Sequence, residues 1–245
     1  KKMGIGPTDP RRLQAGVSYL LERAEAEGHI CLSADEICER APALLASRGS
    51  RPSAEQINAA ISAAIADGRL WREQDPDDKI ERIYTTEHFI IETRLYEKLE
   101  RRLGKIPETD PNEIERPKDS LLTDEQWGAV RRGISEPLSI LTGAPGCGKT
   151  FTLNGLLEEA EARGERVLCM APTGKAAKRM EESTGRPAST IHRALRWSGR
   201  AKPARLDQEP DPEDMFKADL IVIDEASMLD MRLAERFFSH VDDET

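Results

Sequence analysis

The sequence predicts an α/β protein in two parts: a small helical domain, then a parallel β-sheet with flanking helices that is incomplete within these 245 residues. Two observations support this prediction. Before residue 85, three helical patterns are followed by two strand-like runs, and after residue 121 short apolar runs alternate with helical patterns. Such alternation is typical of a parallel sheet covered by helices. We therefore predict domains at 1–84 and 121–245, joined by a helix and linker at 85–120.

The first part begins with a helix that ends at Gly28. Its apolar residues recur at helical spacing and are Leu13, Val17, Leu20, Leu21 and Ala24. Ser33 with Glu36, and Ser53 with Gln56, have the spacing of capping boxes, so each pair predicts the start of a further helix.

Two strand-like runs follow at 69–74 and 79–85, joined by an acidic turn at 75–78. Three helices and a two-stranded wing are the outline of a winged-helix domain. Contact with DNA is one use of that outline. The third helix is rich in Ala and Ile and has no basic cluster, so a structural or protein-contact role is at least as well supported as contact with DNA.

The middle of the chain predicts a helix at 86–103 that ends at Gly104, then a proline-rich, acidic linker at 105–120. Beyond it we predict three strands, at 138–142, 167–171 and 220–223. The helices that follow them are expected from residue 150, at 175–183 and at 232–241. A polar stretch with three prolines, 197–217, interrupts the alternation as an insertion or mobile loop.

Composition limits the classes of protein. With 38% hydrophobic and 33% charged residues, the chain is typical of a globular protein with a highly charged surface. No apolar run approaches the roughly 18 residues needed to cross a bilayer. Neither end, at Lys1 or at Thr245, looks like a natural terminus, so we expect a piece of a larger protein. We expect no membrane association.

The four cysteines are scattered without a CxxC pair, which favours buried or incidental thiols over a metal site and fits a reducing, cytoplasmic setting. The net charge of −9 argues against a protein that coats nucleic acid with its whole surface. Residues 171–205 nevertheless hold nine Lys or Arg against two Asp or Glu. That excess indicates either a solvated helix face or a local track for a phosphate backbone.

The strongest motif is Gly-Ala-Pro-Gly-Cys-Gly-Lys-Thr at 143–150, which matches the P-loop pattern in full. Glycines let backbone N–H groups surround phosphate oxygens, and the helix that follows adds positive charge from its N-terminus. Lys149 is predicted to reach the terminal phosphates of ATP and Thr150 to bind Mg²⁺. The predicted ATP-binding residues of the loop are Gly143, Ala144, Pro145, Gly146, Cys147, Gly148, Lys149 and Thr150.

A second acidic motif follows the apolar run at 220–223. Asp224 is predicted to hold Mg²⁺, and Glu225 to act with Lys149 in catalysis as the general base that polarises the attacking water. The alternative is that the two acidic residues only cap the next helix.

Gln126, upstream of the loop, has two interpretations. With Thr123 it forms a capping box for the next helix. Alternatively, its amide reads the adenine edge and favours ATP over GTP.

Four further residues, in two segments after the second strand, form a plausible lining for a phosphate backbone when read with the local basic excess. They are Pro172, Thr173, Thr190 and His192. Without that excess, these segments are a helix start and a helix carrying one histidine.

These segments, in this order and spacing, resemble the first motor domain of superfamily 1 helicases, a RecA-like P-loop domain. The runs at 171–177, 189–195 and 223–228 look like the RecD/TraA-type branch in particular. The resemblance assigns Gln126 to the Q motif, Lys149 and Thr150 to motif I, and Asp224 and Glu225 to motif II.

The resemblance also assigns Pro172, Thr173, Thr190 and His192 to the DNA-contacting motifs Ia and Ib. It implies 5′→3′ movement on single-stranded DNA driven by ATP and Mg²⁺, and unwinding at duplex junctions, by a protein expected to act as a monomer.

The family's motifs III to VI, its second RecA-like domain and its arginine finger are absent from these residues. An arginine finger is worth roughly 10³–10⁵ in turnover. We therefore expect this chain alone to bind ATP, hydrolyse it slowly and not unwind DNA, with the second RecA-like domain of the same parent protein as its partner. A P-loop phosphotransferase and a nucleotide-gated DNA- or protein-binding module remain as alternatives.

Overall fold

The structure is a computed structural model that describes residues 6–47, 49–75, 77–106, 109–195 and 210–242. The chain divides into two compact units, Lys1–Thr93 and Arg94–Thr245. The domain boundaries predicted at 84 and 120 remain a prediction. In the described part of the chain, no helix combines the length and the apolar character that crossing a bilayer requires.

Three helices form the body of the first unit: α1 (Pro10–Ala26), α2 (Ala34–Leu44) and α3 (Ala54–Ala66). Both predicted capping boxes are confirmed. Ser33 Oγ accepts from the Glu36 N–H at 3.1 Å, and Ser53 Oγ accepts from the Gln56 N–H at 3.2 Å. The apolar sides of the helices meet in a core that includes Val17, Ile37, Ile57, Ile61 and Ile83.

A three-stranded antiparallel sheet completes this unit. The predicted hairpin is formed by β2 (Leu70–Gln74) and β3 (Glu81–Thr85), and an additional short strand, β1 (Cys31–Ser33), pairs with the other edge of β3. The sequence did not predict β1, because three residues are too few to show a period of two. The winged-helix interpretation of this unit stays a prediction.

Helix α4 (Thr86–Leu103) matches its predicted range. The predicted linker at 105–120 is more ordered than its composition suggested. A 3₁₀ turn forms at Pro111–Glu113, and the side chain of Ile114 is buried against Leu122, Trp127 and Val130. One apolar residue at the right place is enough to pack this segment onto α5 (Asp124–Ser135).

The second unit is built on a parallel sheet in the order β5-β4-β6, from β4 (Val167–Ala171), β5 (Ala188–Thr190) and β6 (Leu220–Ile223). After α5, the helices of this unit are, in chain order, α6 (Lys149–Ala162), α7 (Gly174–Thr184), α8 (Ile191–Ala194) and α9 (Met231–Ser239). The predicted α/β class, with a parallel sheet and flanking helices, is confirmed. Buried Met170, Ile191, Phe216, Leu233 and Phe237 form one of its core clusters.

The strand predicted at 138–142 is wrong. This segment has no strand hydrogen bonding, and Ile140 and Leu141 are 86% and 46% exposed. A β-strand is stable only where its N–H and C=O groups form hydrogen bonds with a neighbouring strand. The described strands pair as β5-β4-β6, so none of them is a neighbour of 138–142.

The predicted insertion at 197–217 falls mostly outside the described residues, which resume at 210. In its described part, a 3₁₀ turn at Pro212–Asp214 leads to Phe216, whose ring lies 5.6 Å from that of Phe237.

Candidate nucleotide-binding site

The loop at 143–150 favours glycine at two positions by its backbone conformation and leaves little room for a side chain at a third. Gly146 and Gly148 have φ angles of 81° and 85°, in the left-handed region that side chains with a Cβ rarely enter. At Gly143, a Cβ would lie 2.6 Å from the Sγ of Cys147. A side chain would strain the backbone at Gly146 and Gly148, and at Gly143 it would displace the Cys147 side chain.

The loop leads directly into α6. Gly148 is the N-cap of this helix and offers no side-chain cap, so the first N–H groups of α6 have no side-chain acceptor at the cap. Lys149 Nζ donates to the carbonyls of Gly143 at 2.7 Å and Ala144 at 3.1 Å. Thr150 follows in the first turn of α6 and is exposed. A positive helix end, an ammonium group and a hydroxyl thus meet at one loop, which suits a polyphosphate.

Gln126 lies beside the same loop. Its capping box is confirmed: Thr123 Oγ1 accepts from the Gln126 N–H at 3.2 Å, and Gln126 Oε1 accepts from the Thr123 N–H at 3.0 Å. Gln126 Nε2 also donates to the Cys147 carbonyl at 3.3 Å. The sequence pattern did not reveal this second contact, which joins the start of α5 to the loop.

Helix α6 closely approaches α5 and the residue Leu122, which precedes α5, at two glycines. A Cβ on Gly133 of α5 would lie 2.9 Å from Leu156 Cδ1, and a Cβ on Gly155 of α6 would lie 2.6 Å from Leu122 Cδ1. Trp127 on α5 is also buried in the cluster that Leu156 contacts. Helix α5 and the preceding Leu122 are therefore packed closely against α6.

Asp224 and Glu225 follow β6 directly, as predicted. The Asp224 N–H donates to the Met170 carbonyl at 3.0 Å, which continues the ladder between β4 and β6 by one residue. Glu225 has φ 54° and ψ 40°, an unusual left-handed conformation for a residue with a side chain. Its N–H donates to Asp224 Oδ1 at 2.9 Å.

The helix-capping alternative for this acidic pair finds no support at Glu225. That residue is the N-cap of the 3₁₀ turn Ala226–Met228 and makes no side-chain cap hydrogen bond. In the described residues, no hydrogen bond or ion pair joins the loop at 143–150 to Asp224 or Glu225.

The residues predicted to contact DNA lie at or just beyond the ends of β4 and β5, at the edge of the sheet where Asp224 also lies. Register pairs Ala171 with Thr190, so the carboxyl ends of both strands meet there. Thr173 caps α7 by accepting from the Ala176 N–H at 3.2 Å, and Thr190 caps α8 by accepting from the Arg193 N–H at 3.1 Å. Pro172 is buried, whereas Thr173, Thr190 and His192 are half-buried.

The local basic excess is partly used in ion pairs. Arg186 Nε and Nη2 donate to the two carboxylate oxygens of Glu161 at 2.6 and 2.7 Å. These hydrogen bonds lower the pKa of Glu161 and raise that of Arg186. Lys178 lies 3.7 Å from Glu182. Within the described residues, Lys175, Arg179 and Arg193 form no ion pair, and the remaining basic residues, from 196 to 205, lie outside them.

Comparison with known proteins agrees with this geometry. Residues 126–245 match a protein family described as an AAA domain. Over 237 residues, the chain is 33% identical to an ATP-dependent RecD2 DNA helicase of Deinococcus radiodurans. It is 38% identical over 137 residues to the RecBCD enzyme subunit RecD of Mycobacterium tuberculosis, and 32% identical over 117 residues to a probable conjugal transfer protein TraA of Sinorhizobium fredii. Together these matches support a relationship to the RecD/TraA type of superfamily 1 helicases.

The match to these RecD/TraA-type relatives is uneven. The alignment with the Deinococcus protein covers 90% of this chain and 31% of that protein. The other two cover 46% and 47% of this chain, and 23% and 10% of the relatives' own lengths. The chain thus spans less than a third of each of these relatives. The parallel sheet, the flanking helices and the glycine-rich loop together fit a P-loop NTPase fold.

Proposed function

We propose that this chain is the ATP-binding part of an ATP-dependent DNA helicase that moves 5′→3′ along single-stranded DNA. The observation that carries the proposal is the loop at 143–150, with left-handed Gly146 and Gly148 and with Lys149 at the start of α6. Loops of this form bind the phosphates of nucleotides through backbone N–H groups. The match to RecD and RecD2 helicases supports DNA as the polymer on which the protein moves.

The residues of the chain suit the nucleotide and its metal. Backbone N–H groups of the loop bind phosphate oxygens, and Lys149 exchanges the carbonyls of Gly143 and Ala144 for the terminal phosphates. Thr150 and Asp224 offer the oxygen ligands that Mg²⁺ prefers. Bound there, Mg²⁺ would neutralise negative charge on the phosphates.

Glu225 is the group we assign to proton transfer. Its carboxylate makes no cap hydrogen bond, so it is available to accept the proton of the attacking water. The proposed DNA-facing edge is formed by side chains at or just beyond the ends of β4 and β5, namely Thr173, Thr190 and His192.

We further propose that the protein acts in the cytoplasm as a monomer, and that a second RecA-like domain of the same full-length protein closes on the bound ATP. The four cysteines are free thiols, which fits a reducing compartment.

The decisive experiment measures ATP hydrolysis and strand separation by the full-length protein. Single-stranded DNA should stimulate hydrolysis, and a duplex with a 5′ tail should be unwound in preference to one with a 3′ tail. Tight ATP and DNA binding without unwinding would instead indicate a nucleotide-gated binding module. Phosphate transfer to a small-molecule acceptor would indicate a phosphotransferase.

A further inference from the structure

The antiparallel sheet of the first unit has one face that lies away from the helical core. Side chains alternate between the two faces of a strand, so Leu70 and Ile83 enter the core while their neighbours point to the other side. Trp71 pairs with Tyr84 across β2 and β3, and both therefore lie on that other side. We call this surface the outer face, and its residues are Trp71, Glu73, Asp75, Ile80, Arg82 and Tyr84.

The indole of Trp71 is held with one of its sides open. Its ring stacks on that of Phe89 in α4, with centroids 4.5 Å apart and planes at 17°. Phe89 in turn meets the buried Tyr84 edge-on, with ring centroids 5.8 Å apart. Phe89 therefore covers one side of the indole, and the other side is available because Trp71 is 45% exposed. A large ring that is already fixed loses little freedom on binding, so it suits a contact point for another molecule.

Negative charge lies next to this indole. Glu73 is two residues along β2 on the outer face, and Glu92 borders the face from α4, one turn after Phe89. Burial raises the pKa of the Glu92 carboxyl, a hydrogen bond from Tyr84 offsets part of that effect, and the charge of Glu73 raises the pKa further. Among the residues that the structure describes, neither Glu73 nor Glu92 forms an ion pair. Both carboxylates therefore gain from a nearby cation.

The guanidinium of the outer face is already bound by carboxylates. Arg82 Nη1 lies 2.6 Å from Asp75 Oδ2, and Arg82 Nη2 lies 2.6 Å from Asp78 Oδ2. Four carboxylates, those of Glu73, Asp75, Asp78 and Glu92, thus stand against this one guanidinium on the outer face and its border. The resulting excess of negative charge repels the phosphates of a nucleic acid and attracts a cationic partner.

The outer face has a second exposed apolar residue at its far end. The Ile80 carbonyl accepts from the Asp75 N–H at 3.1 Å, which continues the pairing of β2 with β3 by one residue. Ile80 therefore points to the outer face, where it is 44% exposed. It lies opposite a position four residues along from Trp71, a separation of about 13 Å at about 3.3 Å per residue. Five residues of an extended peptide cover the same distance.

We propose that the outer face binds a basic, extended segment of another protein. An Arg or Lys side chain of that segment lies on the open side of the Trp71 indole, next to Glu73 and Glu92, and an apolar side chain four residues away contacts Ile80. Arg suits the first position better than Lys, because a guanidinium stacks on an aromatic ring while it donates to a carboxylate. This inference does not depend on ATP binding at the loop.

The probe is a fluorescein-labelled peptide, Val-Ser-Arg-Ser-Arg-Ser-Val, whose alternate residues fit the face in either direction. Its anisotropy is measured against the chain at low salt. Trp71→Leu keeps an apolar side chain but removes the ring, and should weaken binding about 3- to 30-fold, the scale of a cation–π contact. Glu73→Gln should weaken it about two- to fivefold, the scale of an exposed ion pair. The same peptide with Glu in place of Arg should not bind.

Two control variants remove the same chemical groups elsewhere in the first unit. Tyr19→Leu removes another exposed aromatic ring, and Glu22→Gln removes an exposed carboxylate, both from α1. Glu22→Gln changes the net charge as much as Glu73→Gln does, so it measures the general attraction of a cationic peptide to a chain of net charge −9. Both controls should bind the peptide as wild type does. Equal losses in Glu22→Gln and Glu73→Gln would overturn the inference in favour of that general attraction.

The other outcomes are also distinct. Absence of peptide binding by the wild-type chain would overturn the inference outright. Weaker binding of labelled oligo-dT by Trp71→Leu, with peptide binding unchanged, would overturn it in favour of base stacking. A dimer of the wild-type chain that Trp71→Leu abolishes in sedimentation would overturn it in favour of contact between two copies. Circular dichroism checks folding, and if Trp71→Leu does not fold, unchanged peptide binding by Glu73→Gln overturns the inference.

Discussion

Arg166 and Asp219 form a two-point ion pair where β4 and β6 begin. Arg166 Nε lies 2.9 Å from Asp219 Oδ2, and Nη2 lies 2.6 Å from Oδ1. The Arg166 N–H also donates to Oδ2 at 2.7 Å. These hydrogen bonds from Arg166, side chain first and then backbone, lower the pKa of Asp219 from 3.8 to about 2.

We expect Asp219→Asn to lower the free energy of unfolding at neutral pH. Because the pKa is lower in the folded state, the carboxylate stabilises the fold above its unfolded pKa of 3.8, and this contribution is lost as pH falls toward about 2. Urea unfolding of both proteins at pH 7 and pH 3 measures the effect. The difference between them should shrink at pH 3, whereas the exposed control Asp119→Asn should show little difference at either pH. A difference that does not change with pH would contradict the assignment.

Lys149→Ala should abolish productive ATP binding, since the loop loses the side-chain cation expected to reach the phosphates. Titration of the chain with a fluorescent ATP analogue measures the affinity. Lys175→Ala, which removes an exposed lysine from α7, is the matched control and should bind ATP as wild type does. Unchanged affinity in Lys149→Ala would remove the basis for calling this loop a nucleotide site.

Glu225→Gln in the full-length protein should keep ATP and DNA binding but lower hydrolysis at least about 100-fold, the scale expected for loss of a general base. Gln preserves the size of the side chain, so the unusual backbone of residue 225 is not further disturbed. Steady-state phosphate release measures turnover, with the exposed Glu213→Gln as control. Turnover near wild type would leave Glu225 without a catalytic role.

Thr173→Asp should weaken single-stranded DNA binding without changing ATP affinity. Asp caps helices as well as Thr does, so α7 keeps its N-cap while a negative charge is added beside the proposed DNA edge. Anisotropy of labelled oligo-dT measures affinity, which should fall at least about fivefold at low salt. Ser53→Asp, the same kind of change at the N-cap of α3, should have no such effect.

The salt dependence of the same binding tests the basic track. Each phosphate contact contributes about 0.7 to the slope of log affinity against log salt for single strands. Arg193→Gln should reduce that slope by about this amount if the exposed Arg193 contacts a phosphate. Arg186→Gln should leave the slope unchanged, because Arg186 is already paired with Glu161. A slope near zero in the wild type would make this stretch a solvated helix face.

Gly133→Ala should destabilise the second unit by roughly 1–3 kcal/mol, the usual effect of overpacking, because its Cβ would meet Leu156 at 2.9 Å. Gly128→Ala lies in the same helix, where the nearest atom is the end of the Arg132 side chain at 3.9 Å. That control should be neutral or stabilising, because Ala favours helix over Gly. Urea unfolding compares the two variants. Equal effects would mean that α5 and α6 are not in close contact.

Local signals predicted much of the fold. The capping boxes at Ser33, Ser53 and Thr123 each depend on residues three positions apart, and all three formed. The apolar runs of β4 and β6 match the predicted strands residue for residue, because four or five consecutive apolar residues suit a strand covered by helices on both faces.

Features that depend on distant partners could not be predicted in this way. The run at 138–142 has strand composition but no neighbouring ladder among the described strands. The second contact of Gln126 reaches a residue 21 positions away and depends on how α5 packs against α6. Ile114 is buried because of its neighbours Leu122 and Trp127, and its own proline-rich surroundings gave no indication of it.

At the end of β6, the neighbouring residues Asp224 and Glu225 differ in how firmly their backbone is held by the sheet. The backbone of Asp224 is tied to the sheet by its hydrogen bond to Met170, so this carboxylate shares the stiffness of β4 and β6. Glu225 comes one residue later, where the chain has turned into a left-handed conformation. The direction of the Glu225 carboxylate therefore depends on the left-handed backbone conformation of that one residue. Substitutions that relax this turn should redirect Glu225 while leaving Asp224 in place, so the two carboxylates can be perturbed independently although they are neighbours in sequence.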